Sequence, residues 1–155
     1  MLRVPWNRQS PGRCGPAVLR MVLAFYGIRA SERLLVKLSD CKPIWHPEGT
    51  SAKGIVRAAK HFGLQARIVD RTDIATLRRL VRDGIPPIIN WFSVDDGHYS
   101  VVVDVTQKHV VLRDPERPGR VRLTHKVFQR VWFDFRAGKL SPQALIVRRA
   151  IVVRR

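Results

Sequence analysis

Residues 14–27 read Cys-Gly-Pro-Ala-Val-Leu-Arg-Met-Val-Leu-Ala-Phe-Tyr-Gly, and this stretch decides what the rest of the chain must do. Ala17, Val18, Leu19, Met21, Val22, Leu23, Phe25 and Tyr26 leave no polar face except at Arg20. A helix that is apolar on every side is buried in the middle of a domain. Pro16 suits a first turn, where its missing N–H costs nothing, and Gly27 is placed to end the helix as a C-terminal cap. The spacing predicts a helix from near Cys14 to Gly27, with its first turn on the wall of an internal cleft.

The flanking sequence divides into a helical first half and a strand-rich second half. A second helix is expected from Ser31 to about Leu38. Gly49-Thr50-Ser51 caps a third over residues 52–62, ended by Gly63. Gln65 to Val69 reads as a strand, and Thr72 or Asp73 opens a fourth helix that Gly84 closes. Ile85 to Phe92, His98 to Val105, His109 to Arg113 and Val121 to Leu123 have strand composition. Thr124 caps a short helix through Val131, and Ala144 to Val153 reads as a last strand. This order predicts an α+β domain, with the buried helix packed against an antiparallel sheet. No repeat or linker divides the chain, so one domain over residues 1–155 is expected.

Bulk composition narrows the function. At 155 residues, 45% hydrophobic and 26% charged, the chain is long enough to build a core. No apolar run approaches a membrane span, and residues 1–8 hold no signal-peptide core, so a cytoplasmic location is expected. Cys14 and Cys41 make no disulfide framework; reduced thiols fit that compartment and a thiol-dependent catalyst. Cys41, outside any periodic pattern, reads as structural. No Cys-x-x-Cys or His-x-x-x-His spacing, phosphate-binding glycine loop or Gly-x-Ser-x-Gly elbow occurs, so neither a metal nor a cofactor is expected.

The net charge is +17, from 29 Lys and Arg against 12 Asp and Glu. Such a field attracts polyanions: nucleic acid, an anionic membrane surface or an acidic peptide. The cations are scattered, without the basic-aromatic pattern of single-strand binders, which weighs against nucleic acid. An acidic peptide steered to the protein remains open, as does a charge that serves solubility alone.

Cysteine catalysis needs a thiolate, and three local devices favour one at Cys14. These are the start of a long helix, the adjacent Arg13, and a histidine delivered by the fold. Gly15 is expected to admit a substrate backbone. The bland alternative for Cys14 is a small buried hydrophobe. His98 opens the most strand-like run, and Asp114 ends the next. With a three-residue turn over residues 105–107, positions 104 and 108 pair and His98 lies directly opposite Asp114 on one face. A base and its orienting carboxylate need that arrangement. Asp95 and Asp96 are fallback partners for His98, and Asp114 before Pro115 could be only a turn opener. The oxyanion of an acyl intermediate could take the Cys14 N–H and the Gln9 side-chain amide, although Gln9 also reads as an exposed loop residue.

Residues 9–27, beginning Gln-Ser-Pro-Gly-Arg-Cys-Gly-Pro, resemble the nucleophile segment of the papain-like cysteine peptidases that process bacteriocin leaders. The resemblance continues through Gly49-Thr50-Ser51, residues 58–64, Gly97-His98-Tyr99-Ser100, Leu112-Arg113-Asp114-Pro115 and residues 127–132, nearly the whole chain. It implies a papain-like fold with Cys14 as nucleophile, His98 as base, Asp114 as third member and Gln9 as oxyanion donor. It further implies peptide or protein substrates, cleavage after small residues such as Gly-Gly, and relatives that are free-standing or joined to peptide-exporting transporters. This chain reads as a free-standing member. Gln9 stands one residue nearer the cysteine than in the family, and Arg13 replaces a residue that is often small or acidic. Two other functions compete: a silent peptide-binding module on the same scaffold, and a basic binder of nucleic acid or anionic surfaces.

Overall fold

The computed structural model describes residues 1–94 and 96–155. Helix α1 (Cys14–Phe25) buries eight residues, Gly15 to Leu19 and Met21 to Leu23. Gly27, at φ 78°, turns the chain away after it. Helices α2 (Glu32–Leu38) and α3 (Ala52–His61) start where expected: Ser31 and Ser51 each accept a backbone N–H three residues on. Asp73 does the same for α4 (Ile74–Arg82), and Thr124 for α5 (His125–Val131).

The main sheet has six antiparallel strands. They are β1 (Gln65–Val69), β2 (Ile88–Phe92), β3 (Gly97–Val105), β4 (His109–Arg113), β5 (Val121–Thr124) and β8 (Ala150–Arg154), ordered β1-β8-β2-β3-β4-β5. One face carries Tyr99, Val101, Val103, Val111, Ile151 and Val153 against α1 and its neighbours. The other carries Ile89, Trp91, Val102, Val110 and Leu112 against Leu77 of α4 and Phe128 of α5. The fold is therefore α+β and papain-like as expected, with helices on both faces of the sheet. Among the described residues no helix is long and apolar enough to cross a membrane.

Three details differ from expectation. Strand β2 begins only at Ile88, because Pro86 and Pro87 lack ladder N–H groups. The expected last strand is two: β7 (Leu145–Val147) pairs with β6 (Phe133–Phe135) in a separate ribbon, and Arg148, at φ 49°, breaks the run before β8.

The third correction concerns the β3–β4 turn. Val105 pairs with Val110, and Thr106 N–H donates to His109 at 2.9 Å, so the turn is the two residues Gln107 and Lys108. The Thr106 hydroxyl accepts from His109 N–H at 2.9 Å and holds it closed. A bulge at Val103 then shifts the register, so that Val102 faces Leu112 and Val101 faces Arg113. Continued outward, this register sets Ser100, not His98, opposite Asp114. Without the bulge Asp114 would stand opposite Val101, on the wrong face. The carbonyl that the bulge frees at Val103 is satisfied by Leu2 N–H at 2.8 Å.

Close packing behind the site rests partly on Gly54, where an added Cβ would run into the Ser39 carbonyl that ends α2. A Gly54→Ala variant is expected to lose about 1–3 kcal/mol through overpacking. Urea unfolding should show a lower midpoint with an unchanged slope.

Candidate active site

The structure brings three of the four expected site residues together. Cys14 is the first residue of α1, half-buried on the wall of a cleft. His98, the second residue of β3, and Asp114, just beyond β4, are 5% and 3% exposed. His98 Nε2 lies 2.9 Å from Asp114 Oδ2. Cys14 stands close enough to the ring to act on its charge, and with Nε2 taken by Asp114 the nitrogen left for the sulfur is Nδ1. The pair forms as a diagonal across the β3–β4 ladder, not as directly opposed residues, since diagonal neighbours of one face also come within side-chain reach.

Asp114 is held from every side. Oδ2 accepts from Ser100 Oγ at 2.8 Å as well as from His98, and Oδ1 accepts from Glu116 N–H at 2.8 Å. Trp91 Nε1 donates to Ser100 Oγ at 2.9 Å, and Trp6 Nε1 donates to the Asp114 carbonyl at 2.8 Å. The Trp91 ring meets His98 edge-on, with centroids 6.1 Å apart. Ser100, Trp91 and Trp6 escaped the sequence reading. Ser100 was legible as a same-face neighbour of His98, but its contact with Asp114 needs the correct turn.

The electrostatics follow from these contacts. Burial pushes the Asp114 carboxyl up, but hydrogen bonds from His98, Ser100 and Glu116 and the His98 charge outweigh it and hold it below the usual carboxylate range. Burial alone would strip the His98 proton; the hydrogen bond to Asp114, the nearby Cys14 and the Asp114 charge instead push the ring up to about 10. His98 thus contributes stability that is complete below its ordinary value of 6.5 and lost as pH rises through about 10. Asp114 contributes in the opposite direction, its share being lost as acid protonates the carboxylate.

Other expectations are redirected. Arg13 Nη1 turns to Glu32 Oε1 at 3.1 Å, and Glu32 also takes Ser10 N–H, so this arginine anchors the loop before α1. Gly15 makes room for Thr50: an added Cβ would sit 2.6 Å from Thr50 Cβ, so a protein side chain occupies the space expected for substrate. Gln9 is tied by its N–H to the Pro115 carbonyl at 3.0 Å, and its Nε2 donates to Glu116 Oε1 at 3.3 Å. Asp96 accepts from Gly97 N–H rather than from His98, and Asp95 lies outside the described residues. Cys41, half-buried, hydrogen-bonds the Gly12 and Lys42 carbonyls. His98, Asp114 and Glu116 offer ligand atoms within 4.8 Å of one another. A cation there would compete with the three hydrogen bonds that Asp114 already accepts, so the donor set is committed to the histidine.

Residues 4–136 match the model of the peptidase C39 family. An uncharacterized protein of Methanothermobacter marburgensis is 35% identical over 130 residues, covering 81% of this chain and 80% of that one. The pediocin PA-1 transport/processing ATP-binding protein of Pediococcus acidilactici is 31% identical over 121 residues, 77% of this chain but only 16% of the relative. The crystal structure of the peptidase domain of Streptococcus ComA, a bifunctional ABC transporter involved in quorum sensing, superposes with a TM-score of 0.72 at 28% identity, covering 96% of each chain.

NMR titration of the His98 ring tests the electrostatics. The ring is expected to keep its proton through neutral pH and to release it near pH 10. In Asp114→Asn or Cys14→Ala the release should move to lower pH, because each change removes a charge that holds the proton.

Proposed function

Since the chain belongs to the peptidase C39 family and shares its papain-like fold, we propose that it is a cysteine peptidase working through Cys14, His98 and Asp114. The reading is supported above all by one arrangement: His98, bound through Nε2 to a fully hydrogen-bonded Asp114, has Cys14 beside its ring at the start of the buried helix. A protonated imidazole beside the sulfur is placed to hand its proton to a leaving group, and the thiolate is the form of a cysteine that attacks.

In this mechanism Cys14 Sγ adds to a peptide carbonyl and His98 passes its proton to the leaving amine. Water, deprotonated by the now neutral ring, then hydrolyses the thioester, releasing the acyl group as the acid and restoring the sulfur beside a protonated ring. Asp114 stays ionised and fixes the ring orientation through Nε2. The developing oxyanion meets the Cys14 N–H, one of the N–H groups that a helix start leaves unpaired. Gln9 supplies the second donor by exchanging its single 3.3 Å bond to Glu116 for the oxyanion. The substrate class is a peptide or protein segment that lies extended past Cys14. A cavity of about 190 Å³ beside the thiol, with Gly12 and Gly49 in its wall, suits small residues such as a Gly-Gly pair on the acyl side. The transport/processing relative suggests a leader peptide as that segment and a peptide exporter as an associate. The peptidase unit occupies residues 1–155 and works in the cytoplasm.

A panel of Gly-Gly-containing leader peptides, followed by mass spectrometry, tests the proposal. Cys14→Ala and His98→Ala are each expected to lower kcat/KM by a factor on the order of 10³ or more. A peptidyl thiol electrophile should add one mass equivalent to the parent at Cys14 and far less to His98→Ala. Full hydrolysis by Cys14→Ala refutes the reading. Gln9→Ala should lower kcat by about 10²-fold while leaving the His98 titration in place, since it removes a donor that acts only on the oxyanion.

A further inference from the structure

The excess of positive charge is distributed unevenly over the molecule. None of the 29 lysines and arginines lines the cleft at Cys14 among the described residues, and its charged lining is Glu48, Asp96 and Asp134. Elsewhere, two adjoining cavities of about 430 and 520 Å³ run between α3 and the strands β1 and β8. They carry Lys53, Arg57, Lys60, Arg67 and Arg154, and no acidic residue lines them among the described residues. Lys53, Arg57 and Lys60 stand at i, i+4 and i+7, one exposed row along α3. None of these five cations is in an ion pair among the described residues. Arg57 and Arg154 donate to neutral acceptors, the Leu38 carbonyl at 3.1 Å and Gln65 Oε1 at 3.0 Å. Two acids near the groove are committed to other cations. Asp40, which feels the Arg57 charge, binds Lys42 at 2.7 Å, and Asp70, which follows β1, is held by a fork from Arg149 at 2.6 and 2.8 Å.

The backbone of the same groove supplies a second, independent feature. β1 is an edge of the six-stranded sheet and is bonded to β8 alone. In an antiparallel ladder every second residue of an edge strand turns its N–H and C=O outwards. Among the described residues no backbone hydrogen bond reaches residues 65–69 from outside that ladder. An added strand would point alternate side chains to the two faces of the sheet. On the face of Ala66 and Ile68 they meet the row on α3; on the other they meet Arg67 and Arg154. The row from Lys53 to Lys60 rises about 10 Å, the length of about three strand residues.

We propose that β1 is a docking edge for an acidic, extended segment of a partner protein, which adds one strand to the sheet between the α3 row and Arg67 and Arg154. Ladder hydrogen bonds supply affinity, and the cations on both faces set the sign of the side chains accepted. A nucleic acid matches the charge but has nothing to pair with the outward N–H and C=O groups. A lipid surface takes up large exposed apolar side chains, and none lines this groove among the described residues. A second copy of the same edge is repelled by its own cations. The groove shares no residue with the cleft at Cys14, so a partner held here leaves the thiol accessible.

Fluorescence anisotropy with the full chain, joined to amide hydrogen exchange, tests this. The probe is fluorescein-Gly-Glu-Val-Glu-Val-Glu-Val-Glu-amide. Three labelled comparisons are run at matched ionic strength: its Lys counterpart, the acidic peptide N-methylated at every residue, and a single-stranded oligonucleotide of equal charge. N-methylation keeps the charge and removes the ladder donors. The acidic peptide is expected to bind about tenfold or more tightly than each comparison, and to slow exchange at every second residue of β1. Lys53→Gln/Lys60→Gln/Arg67→Gln, which alters three exposed side chains, should weaken that binding about fivefold or more at an unchanged urea midpoint. The inference is overturned by no binding of the acidic peptide, or by equal binding of the N-methylated peptide or the oligonucleotide. Binding that survives the triple variant, or that leaves β1 exchange unaltered, overturns it too. The peptidase reading stands in each case, because the probe and the variant leave the cleft at Cys14 untouched.

Discussion

One extra residue in a β-strand governs the geometry of this site. Side chains alternate along a strand, so a shift of one position exchanges the two faces. The two-residue turn at Gln107-Lys108 sets a register in which Asp114 would share a face with Val101. The bulge at Val103 restores the other parity, and Asp114 then faces Ser100 and His98. The N-terminal segment takes part in this: Leu2 N–H fills the carbonyl that the bulge leaves open, and Trp6 Nε1 and Gln9 N–H bind the Asp114 and Pro115 carbonyls. The residues before Cys14 therefore clamp the strand end that carries the aspartate, and the helix start and the carboxylate are positioned by one continuous stretch of chain.

Burying an imidazolium and a carboxylate together is costly unless each polar atom finds a partner. Asp114 meets that condition with three hydrogen bonds to its two oxygens. His98 meets it through Asp114 on Nε2, with Cys14 beside the ring. Trp91 and Ser100 extend the network to a residue of β2, so the neighbouring strand also resists rotation of the carboxylate. The sulfur of Cys14 stands apart from these bonds, on the wall of the cleft. Orientation is supplied by the sheet and reactivity by the helix terminus, and the two meet at one imidazole.

How much of this the sequence reveals depends on the range of the interaction. The helices follow from local chemistry: the serine and aspartate caps at Ser31, Ser51 and Asp73 and the apolar run after Cys14 appear in the structure within a residue or two of their expected ends. The placement of His98 beside Asp114 was also legible, though by a route that compensates two errors. A three-residue turn without a bulge and a two-residue turn with one give the same parity. Neither the bulge nor the break at Arg148 has a local signal, because Val103 and Arg148 are dictated by partners distant in sequence, Leu2 for the first and the β6 ribbon for the second. Gly15 illustrates the same limit: its small size was plain, but whether substrate or Thr50 uses the space is a tertiary question.

Net charge is the property that sequence reports most exactly and structure reinterprets most. A sum of +17 describes the far field, which governs encounter with other macromolecules and fades beyond about 8–10 Å in physiological salt. Inside a cleft the near field of the lining carboxylates counts for more than their number suggests, because low-dielectric walls focus it while distance and salt weaken the exterior arginines. Asp134 shows how the fold secures this: its carboxylate lies against Gly97, where a side chain would evict it, and the fork to Asp70 keeps the Arg149 guanidinium from neutralising it. Gly97 therefore serves two neighbours at once, the histidine that follows it and the acid that rests on it. Gly97 also opens β3, one position before His98, so the acid and the imidazole are neighbours across a single missing side chain.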